Sequence, residues 1–288
     1  MSRVSVQKTY KLFIGGKFPR TESGRYYPLY DKDQKLIANM CLASRKDFRN
    51  AVTAARKSLP SWRGLTAYNR GQILYRLAEM LESRRHSFGT ELSKFGFSAK
   101  RADGEIDSTI QRLVYYAGWC DKYTALFSSV NPVAASYFNF SVHEPTGVVA
   151  ALLPEDSPLL GVVSVLAPAL CGANSVVMLA SNRYAPIAIT FSEVIQNSDV
   201  PAGVVNIITG SAEELAPHFA SHMDVNALVN ARASLAEDCM VSITNNVKRY
   251  VSWIDGWNCE DPYAILALQE LKTTWHPVQA GSAAHGGY

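Results

Sequence analysis

The sequence predicts an α/β protein built on a doubly wound parallel sheet, with helices ahead of the sheet and an extended ribbon beside it. Three observations carry this. Between Val148 and about Thr244, short and almost uninterrupted apolar runs alternate with segments of helical periodicity. That is the pattern of strands buried on both faces and joined by right-handed crossovers. Upstream, three stretches place apolar residues at helical spacing, each with one stripe that needs a covering surface. Between these parts, residues 134–147 are rich in strand formers and close with Pro145-Thr146-Gly147.

In chain order, Tyr10 to Phe18 alternates around Gly15-Gly16 and predicts a strand and a turn. Ser44 stands ahead of Phe48, Ala51, Val52, Ala55 and Leu59, a helix behind an N-cap. Ile73, Leu74, Leu77, Met80 and Leu81 repeat the spacing, as do Ile106, Ile110, Leu113, Val114 and Ala117. Tyr137 to His143 forms the ribbon. Strands are expected at Val148 to Leu153, Ser175 to Leu179, Val204 to Thr209, Val225 to Val229 and Met240 to Ile243. Helices are expected at Pro158 to Cys171, Pro186 to Gln196 and Ala212 to Ser221. Beyond Val251 the residues Trp253, Trp257, Pro262 and Tyr263 lead into Ala264 to Leu268. Gln269 to Trp275 then reads as an edge or pairing strand, and Ala280 to Tyr288 as a frayed end. The expected divisions are 1–130, 131–147, 148–250 and 251–288.

Of the 288 residues, 48% are hydrophobic and 18% charged, the composition of a globular protein with a sizeable core. The 28 basic and 25 acidic residues leave +3, scattered along the chain. The longest basic cluster, Arg84-Arg85-His86, reads as the solvated end of a helix, so no nucleic-acid partner is expected. Five cysteines (Cys41, Cys120, Cys171, Cys239 and Cys259) include no C-x-x-C pair. This argues against a disulfide framework or a zinc site and for a reducing compartment. Met1 to Gln7 lacks the apolar core of a signal peptide, and the most apolar stretch, Val148 to Leu179, is broken by Pro154-Glu155-Asp156-Ser157-Pro158. Neither half reaches the ~18 to 20 apolar residues of a membrane span. A cytoplasmic protein without a membrane partner is expected.

Ligands of an open parallel sheet sit beyond the carboxyl ends of its strands. Those positions here are Pro154 to Ser157, Ala180 to Asn182, Gly210-Ser211 and Asn230 to Ala233. Neither G-x-G-x-x-G nor G-x-x-x-x-G-K-S/T follows any of the strands. His218 and His222 have metal-binding spacing without an evident third ligand, and read as a helix surface pair. His143-Glu144 reads as paired within the ribbon, and Glu213-Glu214 as acidic residues favoured in the first turn of a helix. Trp253, Trp257 and Trp275 read as packing residues first and interface residues second.

Three motifs agree in order and spacing with one family. Glu144-Pro145-Thr146-Gly147-Val148-Val149-Ala150, Leu166-Ala167-Pro168-Ala169-Leu170-Cys171-Gly172-Ala173-Asn174-Ser175-Val176-Val177 and Pro201-Ala202-Gly203-Val204-Val205-Asn206-Ile207-Ile208-Thr209-Gly210 resemble the aldehyde dehydrogenase superfamily. Leu12-Phe13-Ile14-Gly15-Gly16-Lys17-Phe18 and the helix around Ala67 to Arg84 resemble its N-terminal region, so the match runs from Lys8 to Ser234. The resemblance implies a Rossmann-like sheet flanked by helices, with a β-ribbon oligomerisation arm: an incomplete aldehyde dehydrogenase fold.

The family's enzymes attack the aldehyde with a cysteine thiolate, pass hydride to NAD(P), and hold the oxyanion with the asparagine of P-W-N-x-P. Asp156 stands at the asparagine's place, where an ionised carboxylate repels a developing oxyanion. The family's K-P-S/A-E, which holds the adenosine ribose, aligns with Leu179-Ala180-Ser181-Asn182, and its G-S-T-x-x-G helix entry with Arg232-Ala233-Ser234. Carried over, Leu153, Pro154, Asp156, Leu179, Ser181, Gly210 and Arg232 are a vestigial cofactor site, with Arg232 able to pair with a phosphate. No NAD or NADP requirement is expected, and at most weak binding. Nothing matches E-L-G-G or G-Q-x-C; Cys239 and Cys259 lie in unrelated contexts, and Cys171 reads as a small buried hydrophobe. No catalytic residue carries over. Ala267 to Trp275 resembles the family's closing strand, which pairs with an intersubunit ribbon that Tyr137 to Thr146 resembles in part. The resemblance therefore implies a missing interior catalytic domain and a retained arm. The expected function is a non-catalytic structural or regulatory subunit, joined to itself or to a full-length aldehyde dehydrogenase; Leu271→Pro is then expected to disrupt its pairing strand. The alternative is an NAD(P)-dependent aldehyde oxidoreductase whose catalytic domain comes from a partner chain, and a third reading is a plain nucleotide-binding module.

Overall fold

The computed structural model describes residues 8–31, 34–254 and 256–278. The readings made for Met1 to Gln7 and Ala280 to Tyr288 lie outside the described residues. Its elements in chain order are β1 (Tyr26–Tyr30), β2 (Leu36–Cys41), α1 (Arg45–Arg63), α2 (Ala67–Ser83), α3 (Arg85–Ser93), α4 (Ala99–Trp119), α5 (Tyr123–Phe127), β3 (Ser129–Asn131), β4 (Tyr137–Pro145) and β5 (Val148–Leu152). They continue with α6 (Leu160–Cys171), β6 (Ser175–Leu179), α7 (Ala185–Gln196), β7 (Val205–Ile208), α8 (Ala212–Ser221), β8 (Ala227–Asn230), α9 (Glu237–Asn245), β9 (Arg249–Ser252), α10 (Tyr263–Leu266) and β10 (Gln269–Pro277).

The parallel sheet runs β7-β6-β5-β8-β9, so the first of its strands in sequence lies in the middle and the order reverses beside it. Successive residues of a strand face opposite sides. Val149 and Ala151 therefore join α6, α7 and the N-terminal helices in one apolar layer, while Val148, Ala150 and Leu152 join α1 and α8 in the other. Both faces are covered, which is why these strands read as continuous apolar runs. All of α6 is buried, sandwiched between the sheet and α2 and α4.

The opening strand contracts to two isolated bridges, Phe13 to Ile207 and Ile14 to Lys17, around a tight turn. Gly15 and Gly16 take φ of +61° and +73°, the left-handed pair such a turn requires. The hairpin of β1 and β2 has no counterpart among the strands expected from sequence. Met240 to Ile243, expected as a strand, lies inside α9, and the fifth strand is β9. Glu237 and Asp238 occupy the first turn of that helix and Cys239 and Ile243 are its buried residues, one turn apart.

Helix α1 starts at a capping box. Asp47 is buried and its carboxylate accepts from Ser44 N at 2.8 Å, Thr21 Oγ1 at 2.6 Å and Glu22 N at 3.1 Å. Asp47→Ala should lower the unfolding free energy by about 2 kcal/mol in urea titration, the upper end for a lost cap.

The second sheet, β10-β4-β3, is antiparallel and stands apart from the parallel one. β10 pairs with β4 along its whole length, from Gln269 opposite Pro145 to Pro277 opposite Tyr137. The arm joins the body at Asn174, which is fully buried. Its side chain accepts from Gly147 N at 2.9 Å and donates to Leu268 O at 3.0 Å.

Candidate functional site

Beyond the carboxyl ends of β5, β6 and β8 lies a recess of about 670 Å³, whose lining includes Glu155, Asp156, Asn182, Glu213 and Arg232. Arg232 follows β8 and its side chain is only 8% exposed. Its guanidinium turns inward rather than toward the recess. Nε donates to Leu153 O at 2.7 Å, Nη2 to Ala180 O and to Leu179 O at 3.3 Å, and Nη1 lies 2.9 Å from Glu155 Oε1. Burial pushes this guanidinium below its usual pKa, and the Glu155 charge pulls the other way. Its fork thus ties together the ends of β5 and β6, a role that a planar guanidinium fills and an ammonium does not.

Glu155 completes the closure. Its carboxylate also accepts from Ser181 Oγ at 2.6 Å and Asn182 N at 2.9 Å. Ser181 Oγ in turn accepts from Tyr184 N at 3.2 Å, just ahead of α7. Tyr27 sits close by, its hydroxyl pushed well up by burial and by the Glu155 charge.

The remaining residues singled out in the sequence fall around this pair. Leu153 and Leu179 are buried and offer main-chain oxygens to Arg232; Pro154 and Ser181 are buried, and Asp156 is exposed on the rim. Gly210 takes φ of +153° and lets Ala43 N approach to 3.1 Å of where a side chain would start. That close approach serves the joint before α1, where Ala43 N also donates to Thr209 O at 2.9 Å.

Helix N-termini at this end of a sheet are ready anion sites. Here each is met by the chain's own carboxylates. Glu105 Oε1, from α4, accepts from Leu159 N at 3.0 Å, Leu160 N at 2.9 Å and Ser157 Oγ at 3.0 Å at the start of α6. Glu155 holds Asn182 N ahead of α7; Glu213 and Glu214 lie in the first turn of α8, and Glu237 and Asp238 in that of α9. The residues present do not fit a dinucleotide diphosphate: Arg232, the cation in the lining of this recess, is matched internally, and Glu155, Asp156 and Glu213 give the rim the wrong sign.

Glu155 and Glu105 were not singled out from sequence. The signal for Glu155 is its place at one strand end while Arg232 stands at another. Nothing local marks Glu105, which reaches the site from a helix over fifty residues earlier.

The other candidates resolve into structural roles. His222 meets Phe48 edge-on, while His143 contacts Phe127 O at 3.2 Å and Glu144 pairs with Arg63 at 2.8 Å. Trp253 and Trp257 pack against the core, whereas Trp275 is 59% exposed on β10 beside Tyr137. Among the described residues no cluster of three His, Cys, Asp or Glu could hold a metal, and no helix is long and apolar enough to cross a membrane.

Residues 20–254 match the sequence profile of the aldehyde dehydrogenase family. Retinal dehydrogenase 2 of Gallus gallus is 35% identical over 226 residues, covering 76% of this chain and 43% of that protein. The cytosolic aldehyde dehydrogenase 1 of Elephantulus edwardii is 31% identical over 78% of this chain and 46% of its own length. Among solved structures, an NAD⁺ complex of an aldehyde dehydrogenase from Bacillus cereus superposes with a TM-score of 0.79 at 25% identity, over 85% of this chain and 50% of that one. PnpE in complex with nicotinamide adenine dinucleotide gives 0.80 at 26%, with the same coverage. The chain spans about half the length of the curated relatives it matches.

Proposed function

The chain belongs to the aldehyde dehydrogenase family, and from that premise we propose that it is a non-catalytic member acting through assembly, as a structural or regulatory subunit. The observation that carries this reading is the closure of the strand-end crevice by Arg232 and Glu155. Relatives have been solved with NAD; at its strand ends this chain offers an internally matched guanidinium and an acidic rim. Asp156 adds a carboxylate where the family's oxyanion donor is expected. The arm supports the assembly half of the proposal: β4 and β10 are fully paired, yet Phe138, Leu271 and Trp275 stay exposed on them, with Val130 on β3. An unpartnered arm carrying such residues is poorly tolerated in a soluble chain. The partner is a second copy or a full-length aldehyde dehydrogenase. Four buried cysteine thiols and one exposed one suit a reducing, cytoplasmic setting.

Native mass spectrometry of the protein, alone and co-expressed with a full-length aldehyde dehydrogenase, tests this beside NAD and NADP titration. A complex of two or more chains and no cofactor binding up to about 1 mM is expected. A monomer in both preparations would overturn the assembly reading. Micromolar NAD affinity would favour the alternative, an oxidoreductase completed by a partner's catalytic domain.

A further inference from the structure

Among the strands of the described residues, β10 presents the longest open edge. It pairs on one side only, with β4, over nine residues and without a break in register. The opposite edge of the arm, β3, has three residues and runs into Pro132, and the outer strand of the parallel sheet, β9, has four. Natural edges are blunted by bulges, prolines or charges. β10 has no bulge, and its one proline, Pro277, is its last residue. Its two charged residues, Glu270 and Lys272, stand opposite Glu144 and Val142, on the face of the arm that Phe138 shares.

The bonds at the two ends of the β4–β10 ladder place the even-numbered residues of β10 in bonded pairs with β4. The N–H and C=O groups of Leu271, Thr273 and Trp275 therefore point away from β4. The side chains of these three share the other face, where Leu271 is 61% and Trp275 59% exposed. A second copy can meet this edge about a two-fold axis only where odd-numbered residues stand opposite odd-numbered ones. An axis at Lys272 sets that ammonium against its own copy. An axis at Thr274 sets Lys272 against His276, and Leu271 against Pro277, which has no N–H to give. An axis at Thr273 sets Leu271 against Trp275, Glu270 against His276 and Lys272 against Thr274, so that no like charges meet.

We propose that β10 pairs with β10 of a second copy about a two-fold axis at Thr273, joining the two arms into one antiparallel sheet. The proposal rests on the assembly reading above and names its partner. Leu271, Thr273 and Trp275 exchange main-chain bonds with Trp275, Thr273 and Leu271 of the second copy. An aliphatic–aromatic pair forms on each side of the axis, as a self-complementary interface requires. Glu270, held by Arg249 at 2.9 Å within its own chain, gains the imidazole of His276 from the second copy.

The test places Thr273→Cys in Cys259→Ser protein, whose remaining cysteines are buried, and treats it with a short bismaleimide. Opposed residues at the axis stand about 5.5 Å apart between Cα atoms. Phe138→Cys, on β4, would lie about 14 Å or more from its copy, three strand spacings away. Native mass spectrometry should show a dimer, with Thr273→Cys captured as a covalent dimer and Phe138→Cys not. His276→Glu sets two carboxylates together at each end of the pairing and should weaken the dimer roughly tenfold, whereas His276→Lys should leave it at least as tight. A dimer that fails to link at Thr273, one that ignores His276→Glu, or one that forms only with a full-length aldehyde dehydrogenase overturns this pairing and leaves the assembly reading standing. A monomer under every condition overturns both.

Discussion

Replacing Arg232 by alanine is expected to lower the free energy of unfolding by about 3 kcal/mol. The side chain is 8% exposed and satisfies the carbonyls of Leu153, Leu179 and Ala180 as well as the Glu155 carboxylate. Truncation takes this donor from Leu153 O and Ala180 O and the cation from Glu155, while Leu179 O keeps Leu153 N and the Glu155 carboxylate keeps Ser181 Oγ and Asn182 N. Glu155 is 42% exposed, so water reaches it and the loss stays at the low end of the range for broken buried pairs. Urea denaturation measures the change, and Arg232→Lys should recover little of it, because an ammonium does not reproduce the fork across three carbonyls. A loss below about 1 kcal/mol would place the guanidinium among ordinary surface pairs. The same variant separates two readings of the crevice. If Arg232 holds a cofactor phosphate, its removal weakens NAD binding; if it closes the crevice, binding stays absent, since Glu155, Asp156 and Glu213 remain.

This site shows which properties a sequence exposes and which only the fold supplies. Val148 to Leu152, Ser175 to Leu179 and the helices after them follow from apolar runs bounded by glycine and proline, because burial on both faces leaves few polar residues to blur the pattern. The β1–β2 hairpin was invisible for the opposite reason: β1 alternates between exposed and half-buried residues and contains Pro28. Met240-Val241-Ser242-Ile243 is too short for its period to separate helix from strand, and the acidic first turn that decides for a helix lies just before it. The real fifth strand, Arg249 to Ser252, is a sheet edge and lacks the apolar signature of its neighbours. In the sequence Arg232 aligns with the family's helix entry as a cation able to pair with a phosphate. Its inward direction depends on Glu155, Leu153 and Ala180, which arrive from two other strand ends, and no spacing in the chain encodes that meeting.

The second large effect concerns the arm, and the register sharpens where a proline should be placed. Thr146 N donates to Leu268 O at 3.2 Å and Val278 N to Ser136 O at 3.0 Å, at the two ends of the β4–β10 ladder. Antiparallel pairs alternate between bonded and non-bonded positions. Even-numbered residues of β10 therefore exchange bonds with β4, while the N–H groups of Leu271, Thr273 and Trp275 face outward. Pro145 and Pro277, which have no N–H to give, both sit at non-bonded positions. Thr274→Pro thus removes a donor from the ladder inside the chain and should unpair the arm. Leu271→Pro leaves that ladder intact and strips only the outer edge, the position at which a proline is tolerated in a sheet. If a partner chain adds its strand to that edge, Leu271→Pro should convert the assembly to monomer while the circular dichroism spectrum and the melting temperature hold. Thr274→Pro should lose the assembly and lower the melting temperature together. An unchanged oligomeric mass for Leu271→Pro, read by light scattering, would exclude edge pairing. A mass lost only in Thr274→Pro would move the interface to the face of the arm that carries Phe138 and Val130, where side chains rather than backbone groups would hold the partner.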